Sequence, residues 1–65
     1  MSLEGQKKAR RARDHMEEAE RSAKVAKEIF EGIGDTDGKK RAEEVEENAK
    51  QVKKYVEKRL GKNEN

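Results

Sequence analysis

Apolar residues recur along the chain in alternating steps of three and four positions. The first run extends from Ala9 to Ile33 without a gap, and the second extends from Ala42 to Val56, with Leu60 beside the next position. This spacing is typical of amphipathic helices that pack through a heptad seam, so the pattern predicts two long helices. The apolar positions are Ala9, Ala12, Met16, Ala19, Ala23, Ala26, Phe30 and Ile33 in the first run and Ala42, Val45, Ala49, Val52 and Val56 in the second.

One glycine-containing segment, GIGDTDG, separates the two runs. Glycine commonly ends a helix because it adopts the left-handed conformation that closes the last carbonyl groups. Asp35, Thr36 and Asp37 are residue types that cap the N-terminus of a following helix. The sequence therefore predicts one domain that consists of a helix at about 3–32, a loop at about 33–37, a helix at about 37–60 and a polar tail at 61–65.

Two helices joined by a short loop lie antiparallel, so we expect an all-α helical hairpin. Its core would be rich in alanine, which buries little surface, and a core of this size supplies only about 3–5 kcal/mol. We therefore expect two hairpins to form an antiparallel four-helix bundle with coiled-coil-like packing. The predicted interface comprises Ala12, Met16, Ala19, Ala23, Ala26, Phe30, Ile33, Val45, Ala49, Val52 and Val56.

Charge is distributed unevenly along the predicted hairpin. Residues 1–16 and 50–65, together termed the open end, hold eleven Lys or Arg and four acidic residues, a net charge of +7. Residues 17–49, termed the loop half, hold six basic and eleven acidic residues, a net charge of −5. Two hairpins with their loops at opposite ends would place unlike charges together. The charge pattern predicts that orientation.

The basic residues also allow an alternative interpretation, a dimer that binds RNA or DNA through its phosphates. No stacking aromatic residue, asparagine or zinc motif lies near the QKKARRARD segment, so any such binding would be largely independent of base sequence. The residues of this alternative site are Lys7, Lys8, Arg10, Arg11, Arg13, Lys54 and Lys58.

The sequence offers little for catalysis. It contains no cysteine and a single histidine, His15, which flanks the seam, and Ser22 and Tyr55 occupy similar edge positions. No nucleophile has a base at a useful spacing, and the glycines match neither a P-loop nor a dinucleotide fingerprint. We expect no enzymatic activity, no cofactor and no small-molecule substrate.

The segment IGDTDGKKRAEE partly matches a calcium-binding loop. Asp35, Asp37 and Glu44 stand at loop positions 3, 5 and 12, but Ile33 occupies position 1, where an aspartate is needed. Three consecutive basic residues in the segment would repel a cation. We therefore interpret the aspartates as residues of a turn and a helix cap, and we expect no metal site.

No run approaches the roughly 18 apolar residues of a membrane span, and no signal-peptide core is present. We expect a cytoplasmic protein that does not interact with membranes. The abundance of Lys and Glu without cysteine suits a thermophilic protein and equally a designed one.

The predicted architecture resembles that of the Rop (repressor of primer) family of plasmid proteins. The resemblance covers most of the chain and consists of the heptad pattern, the hairpin loop and the size. It implies a homodimeric four-helix bundle, which in that family holds pairs of RNA stem-loops. No family motif matches residue by residue, so the RNA-binding activity is not carried over. The favoured function is a self-association or protein-interaction module, whose partner is a second copy or another helical protein.

Overall fold

The computed structural model describes residues 2–64, with the side chains of residues 2–61. It contains two helices, α1 (Leu3–Gly32) and α2 (Thr36–Glu64), which pack against each other along their length. The hairpin is a rod with extents of 47 × 14 × 11 Å. The all-α hairpin predicted from the apolar spacing is confirmed.

The side chain of Ser2 caps the first helix. Its Oγ accepts a hydrogen bond from the backbone N–H of Gly5 at 3.0 Å. This bond satisfies one of the four amide groups that the first turn of any helix leaves without a partner.

Three residues, Ile33, Gly34 and Asp35, connect the helices. The amide of Gly34 donates to the carbonyl of Glu31 at 3.2 Å, and the amide of Asp35 donates to the carbonyl of Phe30 at 2.9 Å. This pair of bonds is a Schellman motif, and it requires the positive φ of +75° at Gly34. The side chain of Asp35 then accepts from the amide of Gly38 at 2.9 Å, so Asp35 caps the second helix directly after the first has ended.

Helix α2 runs through Gly61 to Glu64, whereas the sequence predicted its end at about residue 60 and a polar tail beyond. Gly34 is the only glycine of the described chain with a positive φ. Gly61 therefore keeps a right-handed conformation and does not end the helix.

The core between the helices is thin. Alanine side chains occupy most of its length, and no side chain of the described residues is completely buried. Met16 and Phe30 of α1 are half-buried, which leaves larger apolar groups only partly covered. The buried apolar residues are Ala23, Ala42, Ala49, Val56 and Leu60.

The contact between the helices differs from the single seam that the sequence predicted. Val45 and Val52, placed in that seam by their spacing, remain 53% and 43% exposed. Glu46 is buried instead, and its carboxylate lies 3.6 Å from Nζ of Lys50. The physical reason is the rotation of α2 about its own axis. The side of α2 that carries Glu46 and Leu60 faces α1, so Val45 and Val52 lie at the edge of the contact.

Candidate functional site

Apolar residues on each helix form two columns, in each of which residues follow one another at intervals of seven. Because seven residues are close to two helical turns, the members of a column lie on the same side of the helix. The first column of each helix faces the other helix, and the second lies along the edge of the contact. The first columns are Met16, Ala23 and Phe30 of α1 and Ala42, Ala49 and Val56 of α2. The second columns are Ala12, Ala19 and Ala26 of α1, continued by its C-cap Ile33, and Val45 and Val52 of α2.

The two second columns lie on the same side of the hairpin. A groove of about 270 Å³ on this side is lined by residues of both helices. We call the second columns together the apolar face: Ala12, Ala19, Ala26, Ile33, Val45 and Val52. The groove is lined by Ala23, Ala26, Phe30, Arg41, Ala42 and Val45.

Further exposed apolar side chains border the apolar face. Ile29 of α1, one turn before the C-cap Ile33, is 60% exposed. On α2, the exposed ring of Tyr55 lies three residues after Val52, with the guanidinium of Arg59 at 5.9 Å from its centre. These side chains widen the apolar face along both helices.

The opposite side of the hairpin is polar. Two ion pairs join the helices there: Lys27 Nζ lies 3.8 Å from Glu43 Oε1, and Lys39 Nζ lies 3.5 Å from Glu31 Oε2. A second groove of about 270 Å³ contains only charged residues: Glu20, Lys50, Lys53, Lys54 and Glu57. The hairpin is therefore closed by charged side chains on one side and open and apolar on the other.

The structure divides the predicted interface into three parts. The buried residues belong to the contact between α1 and α2, the exposed residues are accessible to a second molecule, and the half-buried residues are only partly covered by the other helix. Ala23, Ala49 and Val56 are buried; Met16, Ala19, Ala26 and Phe30 are half-buried; Ala12, Ile33, Val45 and Val52 are exposed.

The basic residues of the alternative nucleic-acid site come from both helices. With 3.6 residues per turn, the segment 7–13 covers almost two turns, so its basic side chains lie on more than one side of α1. Arg10 and Arg13 are half-buried, and Nε of Arg13 lies 3.6 Å from Asp14. The remaining residues of the set, which are exposed, are Lys7, Lys8, Arg11, Lys54 and Lys58.

The other candidate residues have structural contacts. Nδ1 of His15 lies 3.9 Å from the carboxylate of Glu18, and both side chains are exposed. Asp35 caps α2, as described above. In the part of the chain that the structure describes, no group of three His, Cys, Asp or Glu residues is arranged to hold a metal ion. Neither described helix is long and apolar enough to cross a membrane.

Sequence reasoning missed Glu46 as a residue of the helix contact. A signal was available in Leu60, which lies two heptads after Glu46 and therefore on the same side of α2. Lys53, halfway between them, is half-buried for the same reason.

Comparison of the chain with protein-family models, with curated proteins and with solved structures found no match.

Proposed function

We propose that this chain is a non-enzymatic self-association module, a homodimer formed through the apolar face. Each hairpin contributes two helices, so the dimer is a four-helix bundle. In it, the second columns of the two copies pack together and complete the core that a single hairpin leaves thin.

The observation that carries this proposal is a row of exposed and half-buried apolar residues along one side of the hairpin, whereas Leu3 and Val25 are exposed singly elsewhere. Val45 and Val52 lie one heptad apart on α2, and Ala19 and Ala26 lie one heptad apart on α1. This is the arrangement by which helices pack in coiled coils and bundles. Alanine on α1 permits a second backbone to approach closely, and valine on α2 supplies side chains that can fill a groove.

The surface area of the hairpin supports the same conclusion. The chain exposes 4986 Å². A compact monomer of 7.5 kDa is expected to expose about 4,200 Å². The excess, roughly 800 Å², reflects the rod shape and the thin core of the hairpin, which leave side chains such as Val45 and Val52 accessible to a second molecule.

Two substitutions on the apolar face test the proposal: Val45→Lys and Val52→Lys, combined in one chain. Lysine is a good helix former, so the hairpin is expected to retain its helices, while like charges on the apolar faces of the two copies would repel each other. Val25→Glu is the matched control, because Val25 is 55% exposed but lies two residues from the buried Ala23, on the far side of α1.

Sedimentation equilibrium at micromolar concentration measures the outcome. We expect the unchanged chain and the Val25→Glu control to be dimers and the double variant to be a helical monomer by circular dichroism. A monomeric unchanged chain, or a double variant that dimerises as well as the control, would overturn the proposal.

A further inference from the structure

We infer that the second copy lies with its loop at the opposite end of the bundle, so that the basic open end of each hairpin contacts the acidic loop half of the other. This inference rests on the proposed homodimer and adds its orientation and the partner of the open end. Its basis is the set of charges that the hairpin leaves without ion pairs.

The open end carries six basic side chains that make no ion pair within the described residues. They come from both helices and are present in addition to Arg13 and Lys50, which do pair with carboxylates. The six are Lys7, Lys8 and Arg11 of α1 and Lys53, Lys54 and Lys58 of α2.

The loop half leaves more acidic than basic side chains without an ion pair: six acidic residues against Lys24, Lys40 and Arg41, among the described residues. The acidic ones include Glu28 of α1 and Asp37 and Glu44 of α2. All three side chains are exposed. A single hairpin cannot bring them to the open end, because its basic and acidic regions lie at opposite ends of a rod 47 Å long.

The orientation of a second copy decides whether these charges meet. With the loops at opposite ends, α1 packs beside α1 of the partner and α2 beside α2 of the partner, each pair antiparallel. Segment 50–59 then lies beside segment 37–47 of the other copy. With both loops at one end, a net charge of +7 faces +7 and −5 faces −5. Packed helices lie 8–10 Å apart, which is within about one Debye length at physiological salt, so the repulsion is felt.

A nucleic acid would be the competing partner for the open end. The basic side chains of α1 are spread over more than one side of the helix. The charged groove between the helices contains Glu20 and Glu57 beside its lysines. Both features favour a protein partner, whose separate acidic side chains can contact the hairpin along its length. They are less suited to a nucleic acid, which presents a continuous phosphate backbone.

Spin labels measure the orientation directly. The chain has no cysteine, so Thr36→Cys places a single label at the exposed start of α2. We expect a distance of roughly 40 Å between the labels of the two copies, because the rise of 1.5 Å per residue separates the two loops by the length of the bundle. If the loops lay at one end, the distance would be about 10–20 Å, and the inference would be overturned.

A mixed dimer provides the matched control. Thr36→Cys in one copy and Leu3→Cys in the other place the labels at the loop and at the exposed N-terminus of α1. Loops at opposite ends give a short distance in this mixture and a long one in the dimer of Thr36→Cys alone. Loops at one end give the reverse. A chain that sediments as a monomer contradicts the proposed function itself, whereas a dimer with the reversed distances contradicts only the orientation.

Charge reversal tests the cause of the orientation. Glu28→Lys with Glu44→Lys removes acidic partners of the open end, and we expect it to raise the dimer Kd about tenfold at low salt and little at high salt. An unchanged Kd at low salt would show that charge does not set the orientation. Binding of duplex RNA to the intact dimer at low salt would assign the open end to nucleic acid and overturn the inference.

Discussion

The ring of Phe30, near the end of α1, lies directly against the backbone of Gly38 in the first turn of α2. A Cβ atom on Gly38 would lie 2.7 Å from both Cγ and Cε1 of Phe30 and closer still to Cδ1. Gly38 is buried, and its amide donates to the capping carboxylate of Asp35. At the loop end of the hairpin, the ring of Phe30 therefore packs in the space that a side chain at position 38 would occupy.

Gly38→Ala is expected to lower the free energy of unfolding by about 1–2 kcal/mol. The added methyl group must displace the ring of Phe30, and the cost of that displacement exceeds the gain in helix propensity. Gly61→Ala is the matched control, since nothing lies within 4 Å of its Cβ position and α2 is helical there. It is expected to change stability by at most about +0.5 kcal/mol. Thermal unfolding followed by circular dichroism measures both. Equal effects of the two substitutions would contradict the role of the ring contact.

Asp35→Ala is expected to destabilise the hairpin by about 0.5–2 kcal/mol, because the amide of Gly38 loses its capping acceptor. Asp35→Asn should retain most of the stability, since asparagine caps as well as aspartate. Urea unfolding of the two variants separates the hydrogen bond from the charge. If both variants lost equal stability, the charge near the N-terminus of α2 would be the main contribution.

Ala49→Leu is expected to cost about 1–3 kcal/mol, because Ala49 is 5% exposed and a larger side chain would push the helices apart. Gln51→Leu on the exposed side of α2 should leave stability within about 0.5 kcal/mol of the unchanged chain. Both variants are compared at one protein concentration, because association and stability are linked. A stabilising Ala49→Leu would show that the contact contains unfilled space.

Glu46→Leu is expected to stabilise the hairpin by about 1 kcal/mol, because it removes a charge from the helix contact and buries apolar surface of similar volume. Lys50 then loses its partner but is 43% exposed and stays hydrated. Glu47→Leu, at an exposed position, is the control and should not stabilise. A loss of stability in Glu46→Leu would show that the ion pair with Lys50 outweighs the cost of burying the carboxylate.

Much of the fold could be predicted because its causes are local in the sequence. The steps of three and four between apolar residues require helices, and glycine followed by aspartate marks the end of one helix and the start of the next. The predicted end at about residue 60 differs from the structure, because a glycine stops a helix only when the chain beyond it turns away. At Gly61 nothing demands a turn, whereas at Gly34 the return of α2 against α1 does.

The candidate site could be predicted only in part. The apolar residues of the proposed interface were recognisable from their spacing, but their division between the hairpin contact and the open face was not. Val45 and Ala49 satisfy the same periodic pattern, and only the rotation of α2 about its own axis separates an exposed residue from a buried one.

The sequence by itself determined that two amphipathic helices form and where they are joined, because both features depend on residues within a few turns of each other. It also determined that opposite charges lie at opposite ends, because that follows once the chain folds back as a hairpin. The tertiary structure decided which side of each helix faces the other. That choice depends on shape: Phe30 fits over Gly38, small alanines allow close contact, and α2 must rotate to accommodate both. Val45 and Val52 are left on the open face as a result.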